Sequence, residues 1–108
     1  MSQEENELER MESSLALSLQ GEDVDFLPTI VERRHKFQEV LKSILPHLGS
    51  NETKIILAEI LIALKLEGLV GKTLSTRDTK MIRVLHEAIH GEPTKKRQAL
   101  RYAYKLLK

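Results

Sequence analysis

Two histidines one helical turn apart carry the most specific chemistry in this chain. His86 and His90 flank Glu87 in the string His-Glu-Ala-Ile-His. On an α-helix, residues four apart lie on the same face, so both imidazoles can reach one ion. Imidazole nitrogens are common ligands of Zn²⁺, and a glutamate between them can act as general base toward a zinc-bound water.

The string is similar to the signature of the zincin metalloproteases, which implies zinc-dependent hydrolysis with His86 and His90 as ligands. Two features depart from that family. Zincins take a third ligand downstream, but no His, Asp or Glu follows Glu92, and no segment predicts the sheet that zincins place beside this helix. The alternative is that both histidines lie on the rim of an ordinary helix. We therefore predict a protein that is not an enzyme, with no catalytic residue, no cofactor and no metal site, and rank the zinc hydrolase third among functions.

A second string, from Gly68 to Thr73, looks like the end of a Walker A phosphate loop. That loop needs four residues between its glycines and a strand before them. Gly68 and Gly71 are separated by two residues and follow a predicted helix. We interpret both as glycines that stop a helix.

Charge is divided unevenly along the chain. Residues 1–25 carry eight acidic side chains and one basic, a net of −7, whereas residues 26–108 carry sixteen basic and eight acidic, a net of +8. An acidic segment can fold onto a basic body and compete with any anionic partner.

Residues 1–24 are predicted to form an acidic amphipathic arm that can detach from the rest. Its apolar residues recur at spacings of three, four and four, which places them on one helical stripe. A single stripe among repelling glutamates is unstable alone, so the arm must dock in cis, dock in trans or stay partly disordered. The predicted partner-docking stripe consists of Leu8, Met11, Leu15 and Leu19.

The arm also resembles a ubiquitin-interacting motif, a single acidic helix that docks on an apolar patch. The chain departs from that motif at Ser14, where alanine is usual, and at Gly21, where an acid is usual. The residues that carry the resemblance are Glu7 to Glu9, Met11, Leu15, Ser18 and Glu22.

Residues 25–108 are predicted to form a helical bundle domain. Asp25 and Pro28 indicate the start of a helix that runs to about Leu45 and is closed by Pro46 and Gly49. Arg34 falls inside the apolar stripe of this helix, where it either extends along the core edge or pairs with an acid of the arm.

The next helix starts at Asn51 and ends at Gly68. Its apolar residues cover most of its circumference, which predicts a central helix or a homodimer interface.

Two further helices complete the bundle. Ser75 and Asp78 predict a capping box that opens a helix over residues 76–90, ended by Gly91. Its predicted inner face is Met81, Ile82, Leu85, Ala88 and Ile89. The last helix begins at Pro93 or Thr94 and continues to residue 108. Because no segment alternates like a strand, the predicted fold is all-α, with four to five helices including the arm.

The last two helices predict a basic surface. Residues 72–108 hold ten basic and three acidic side chains, a net of +7. Such a surface can bind phosphates, and the first turn of the last helix would add its own attraction for them. The alternative is a charged face that only keeps the bundle soluble. The predicted basic surface is Arg77, Lys80, Arg83, Lys95, Lys96, Arg97, Arg101 and Lys105.

The chain has no cysteine, which is typical of a reducing compartment, so we expect a cytoplasmic protein. Its longest apolar run, residues 55–64, is too short to span a bilayer, so we expect no membrane partner.

The leading functional prediction is a small non-enzymatic regulatory or adaptor protein that binds a protein partner through helical surfaces, with a homo-oligomer also allowed. The alternative is a nucleic-acid-binding regulator that uses helices 76–90 and 93–108, with the arm as an autoinhibitory lid.

Overall fold

The computed structural model of the protein describes residues 27–70 and 74–106. Within those ranges the chain is all-helical and contains no strand, which confirms the predicted fold class. The predicted arm helix lies outside the described residues. The four helices are α1 (Ile30–Leu48), α2 (Glu52–Leu66), α3 (Thr76–His90) and α4 (Pro93–Leu106).

The starts of α2 and α3 are confirmed in atomic detail. The side chain of Asn51 accepts a hydrogen bond from the Lys54 amide at 3.1 Å. The Ser75 hydroxyl accepts from the Asp78 amide at 3.1 Å, and the Asp78 carboxylate accepts from the Ser75 amide at 3.0 Å. Both caps satisfy amides that have no partner inside the helix, which fixes where each helix begins.

Both ends of α1 differ from the prediction. The helix is capped by Thr29, whose hydroxyl accepts from the Glu32 amide at 3.1 Å, so Pro28 precedes the cap instead of occupying the first turn. Pro46 lies inside the helix, which continues to Leu48 and ends at Gly49 with φ 64°. Proline in the last turn removes a single helical hydrogen bond, and burial of Ile44 and Leu45 offsets that loss.

α2 is the centre of the bundle, as predicted, and packs against α1, α3 and α4. The Leu27 amide donates to the Leu66 carbonyl at 3.0 Å, which fastens the chain before α1 to the end of α2. The buried apolar side chains of α2 are Ile55, Ile56, Leu57, Ala58, Ile60, Leu61, Ile62, Leu64 and Leu66.

The buried face of α3 differs from the predicted one. Leu85 and Ala88 are exposed, whereas His86 is buried with Ile82. At about 100° per residue, this rotates the inner face by roughly 60° toward His86. The apolar periodicity located the helix but not its rotation, because Leu85 and His86 lie on opposite sides of Ile82 and spacing alone does not decide which of the two is buried.

α4 closes the bundle against α1, α2 and α3. Ala103 is fully buried, and the ring of Tyr102 lies against Phe37 of α1 with centroids 5.8 Å apart. The predicted extension of α4 to residue 108 falls partly outside the described residues. None of the described helices is long and apolar enough to cross a membrane.

Candidate functional site

The two histidines of the zincin-like string form a stacked pair at the end of α3. The ring centroids of His86 and His90 are 5.1 Å apart, and the ring planes are 20° from parallel. The sequence placed both on the rim, but only 6% of His86 is exposed. Burial lowers the pKa of His86, the neighbouring His90 lowers it further, and Glu87 opposes these effects. His86 is therefore neutral at pH 7.

Zinc coordination requires nitrogen lone pairs that converge on one point with further ligands around it. Stacked rings direct their in-plane lone pairs along nearly parallel planes. The Nε2 atom of His86 is buried and has no hydrogen-bond partner among the described residues. Residues 27–70 and 74–106 bring together no group of three or more His, Asp or Glu side chains that could hold a metal ion. The described donors thus offer zinc two histidines at most.

A zinc-binding measurement tests this arrangement. After incubation with a zinc salt and dialysis, the chain is expected to retain well below one zinc per molecule, because two stacked imidazoles do not make a tetrahedral site. His90→Ala, which removes the more accessible ring, is expected to leave the zinc content unchanged. One zinc per chain that is lost in His90→Ala would contradict the prediction.

The glycine-rich string after α2 stops the helix, as predicted for Gly68. This residue has φ 76°, in the left-handed region that favours glycine. Its amide donates to the Lys65 carbonyl at 3.1 Å, and the Leu69 amide donates to the Leu64 carbonyl at 2.9 Å. The last carbonyls of α2 are thereby satisfied. Residues 71–73 lie outside the described residues.

Most of the predicted basic surface is exposed. The exposed members are Arg77, Lys80, Lys95, Arg97, Arg101 and Lys105. Lys96 is half-buried, and its Nζ lies 3.1 Å from a carboxylate oxygen of Glu52. Arg83 is also half-buried and takes part in an interaction, so only two of the three predicted basic residues on α3, Arg77 and Lys80, are exposed.

The start of α4 is not a vacant anion site, contrary to the sequence-based prediction. The carboxylate of Glu92 accepts hydrogen bonds from the amides of Thr94 and Lys95, both at 3.1 Å. The acid thus takes the positions that a phosphate would occupy at a helix N-terminus. Any phosphate binding by α4 must therefore use its side chains.

The cations further along α4 share one groove. Arg97, Arg101 and Lys105 recur every fourth residue, and between them lie Leu100 and Tyr104, of which the latter is 42% exposed. The groove has a volume of about 440 Å³ and is lined by these five residues, which we call the α4 groove. It combines an apolar floor with a cationic rim and has no acidic lining residue.

A second groove lies between α1 and α2 and has a volume of about 360 Å³. Arg34, which the sequence placed in the apolar stripe of α1, is exposed at its edge. The guanidinium of Arg33 is already engaged, since it donates to the carbonyls of Leu27 at 2.8 Å and Pro28 at 3.3 Å. The α1–α2 groove is lined by Ile30, Arg33, Arg34, Phe37, Ala63, Leu66 and Glu67.

An apolar patch on the outer face of α3 was not predicted. Val84 is 65% exposed and Leu85 is 36% exposed, and the exposed Ala88 lies one turn further along. Lys80 and Glu87, both exposed, flank it with opposite charges. A small apolar centre with a polar rim has the composition of a protein-binding surface. We call Val84, Leu85 and Ala88 the α3 patch.

A second feature that sequence reasoning missed is the state of Glu59 in α2. Burial raises the pKa of this carboxyl from 4.5 to about 8. Its Oε1 atom is buried without a hydrogen-bond partner among the described residues. A glutamate that interrupts the apolar run 55–64 was the only signal for it. It is protonated at neutral pH and stays half-buried within the core helix.

The predicted docking stripe of the arm lies outside the described residues. No family model, no curated protein and no solved structure matches this chain.

Proposed function

We propose that the protein is a small non-enzymatic regulator or adaptor that binds a protein partner through its helical surfaces. The observation that supports the proposal best is the α3 patch. A helix of 15 residues buries only Ile82 and His86 fully and leaves Val84 and Leu85 in contact with solvent. Apolar side chains that are adjacent on a helix gain free energy when a partner covers them, at about 25 cal/mol per Å².

The partner's chemistry follows from the surroundings of the patch. Its centre requires an apolar contact of a few side chains. The opposite charges of Lys80 and Glu87 on the rim favour a partner with complementary charges and fix its orientation more than its affinity. A surface this small fits a transient regulatory contact, because stable interfaces need about 800 Å² from each partner.

Purification from the native cell under mild salt, with and without nuclease, tests this function. We expect partners that resist nuclease and that are lost when Val84→Glu places a charge in the α3 patch. Val31→Glu is the matched control, because Val31 of α1 is 77% exposed and lies outside the patch. Equal capture by the two variants, or partners that disappear with nuclease, would contradict the proposal.

A second candidate function, nucleic-acid binding, is supported by the α4 groove. Three cations at four-residue intervals lie about 6 Å apart along the helix axis and can contact successive phosphates. Tyr104 offers an aromatic ring on which an unpaired base can stack. The exposed ring favours single strands over duplex, because the bases of a duplex are already paired and stacked on each other.

The nucleic-acid alternative makes a quantitative prediction. Arg101→Gln should weaken binding of a single-stranded oligonucleotide and reduce the slope of log affinity against log salt by about 1, as expected for one lost phosphate contact. Arg77→Gln, which changes an exposed cation outside the α4 groove, is the control and should have a smaller effect. Absence of binding at low salt, also after the arm glutamates are replaced by glutamine, would exclude this function.

A further inference from the structure

We propose that the acidic arm, residues 1–24, docks in cis in the α4 groove, where its apolar stripe covers Leu100 and Tyr104 and its carboxylates face the three cations of the rim. This inference does not depend on the α3 patch or on the function proposed for it, since the two surfaces belong to different helices.

Charge complementarity selects the α4 groove over the other open groove. The α4 groove presents Arg97, Arg101 and Lys105 without an acidic neighbour in its lining. The α1–α2 groove includes Glu67, and its Arg33 is already hydrogen-bonded to backbone carbonyls. It therefore offers an acidic segment one exposed cation, Arg34, against three in the α4 groove.

The pattern of the groove also matches that of the arm. Leu100 and Tyr104 are four residues apart, so they form a row along α4 with the cations beside it. The arm has a row of four apolar residues at helical spacing, and its net charge through residue 25 is −7. Two amphipathic helices that pack along such rows bury both stripes and place opposite charges at the edges.

The connection is long enough for docking in cis. Leu27 is fastened to the end of α2, and seven residues, 20–26, separate it from the last stripe residue, Leu19. Seven residues span at most about 25 Å. The path from Leu27 along α1 to Phe37 is about 15 Å, Tyr102 lies 5.8 Å from Phe37 between ring centroids, and the outer side of α4 is about 10 Å further. This path is about 31 Å long. The tether, together with a helical stripe that extends about 16 Å from Leu19 to Leu8, spans about 41 Å, so the stripe reaches the groove around the outside of the bundle.

Docking within one chain needs little intrinsic affinity. A short tether gives the arm an effective concentration in the millimolar range at the groove. Partial burial of two or three apolar side chains, together with ion pairs at the rim, is sufficient at that concentration. The ion pairs are exposed, so the docked state should weaken at high salt.

Paramagnetic labelling of the full chain tests the inference. The chain has no cysteine, so Ser13→Cys introduces a unique site for a nitroxide label. Residue 13 lies opposite the stripe on a helical projection, so the label does not block docking. We expect strong loss of the amide signals of Leu100 and Tyr104, and little loss at Ile30 and Ala63 of the α1–α2 groove.

Two variants complete the experiment. Arg101→Glu combined with Lys105→Glu reverses the charge of the rim and should restore the lost signals. Arg101→Lys combined with Lys105→Arg keeps the charge and should preserve the signal loss. Both positions are exposed. Signal loss at the α1–α2 groove instead, uniform loss over the surface, or no loss at all would overturn the proposal. A mixed sample separates docking in cis from docking in trans, because the nitroxide is on one chain and the isotope on another. Signal loss that occurs only in the mixed sample means docking in trans and would also overturn the proposal.

Discussion

Replacing Glu59 by glutamine is expected to raise the free energy of unfolding at pH 8 by about 2–3 kcal/mol and to leave it nearly unchanged at pH 5. Burial raises the pKa of Glu59 from 4.5 to about 8. For a carboxyl fully removed from water, a pKa shift of this size corresponds to about 5 kcal/mol of stability lost on ionisation. The side chain of Glu59 is partly exposed, so the expected loss is smaller. Glutamine keeps the shape and polarity of the protonated acid but cannot ionise.

The direction of the pH dependence follows from which state holds the proton. Below pH 4.5 the carboxyl is protonated in both the folded and the unfolded chain. Between pH 4.5 and about 8 the unfolded chain loses the proton and the folded chain keeps it, so stability falls as the pH rises. Urea unfolding of wild type and Glu59→Gln at several pH values should show curves that separate over this window.

Glu39→Gln provides the control for this experiment. The side chain of Glu39 is 60% exposed and forms a surface ion pair with Lys36 at 3.4 Å. Such pairs contribute about 0–1 kcal/mol, so Glu39→Gln should change stability little at any pH. Parallel curves for wild type and Glu59→Gln across the whole window would show that the Glu59 carboxyl is solvated in the folded protein.

Truncation of Leu61 to alanine is expected to lower the free energy of unfolding by about 3–4 kcal/mol. Leu61 lies in the middle of α2 with 1% of its surface exposed, and the bundle surrounds it on several sides. The substitution removes apolar surface that folding takes out of water, and it also leaves a cavity in the core. Both lower the stability when a fully buried leucine is truncated. Thermal or urea unfolding measures it directly.

Leu85→Ala is the matched substitution, and it distinguishes the observed α3 from the predicted one. If Leu85 belonged to the inner face, as the apolar periodicity indicates, its truncation should cost nearly as much as that of Leu61. Because Leu85 is 36% exposed, we expect about 1 kcal/mol or less. Equal costs for the two variants would show that the rotation of α3 described above is wrong.

The helix boundaries were largely predictable because short-range chemistry sets them. Asn51, Ser75 and Asp78 cap the helices that the sequence predicted, and Gly68 stops α2 through its left-handed backbone. These contacts involve residues within five positions of each other, so no knowledge of the rest of the fold is needed. The start of α1 was less predictable, because both Asp25 and Thr29 are residue types that cap helices. Thr29 is the cap in the folded chain, where the Leu27 amide is hydrogen-bonded to the Leu66 carbonyl.

The candidate sites were predictable in their residue types but not in their geometry. The cations of α4 were identified from composition. That three of them line a groove while Lys96 pairs with Glu52 required the packing of α4 against α2. The capture of the first amides of α4 by Glu92 likewise removed a phosphate site that the sequence alone allowed.

The sequence by itself determined the all-helical class, the central role of α2 and most of the caps, because periodicity and capping act over one or two helical turns. The tertiary structure alone decided the rotation of α3, which buries His86 and exposes Val84, and the burial of Glu59. Those outcomes depend on which side chains from distant segments fill the same volume, and local spacing contains no information about that competition.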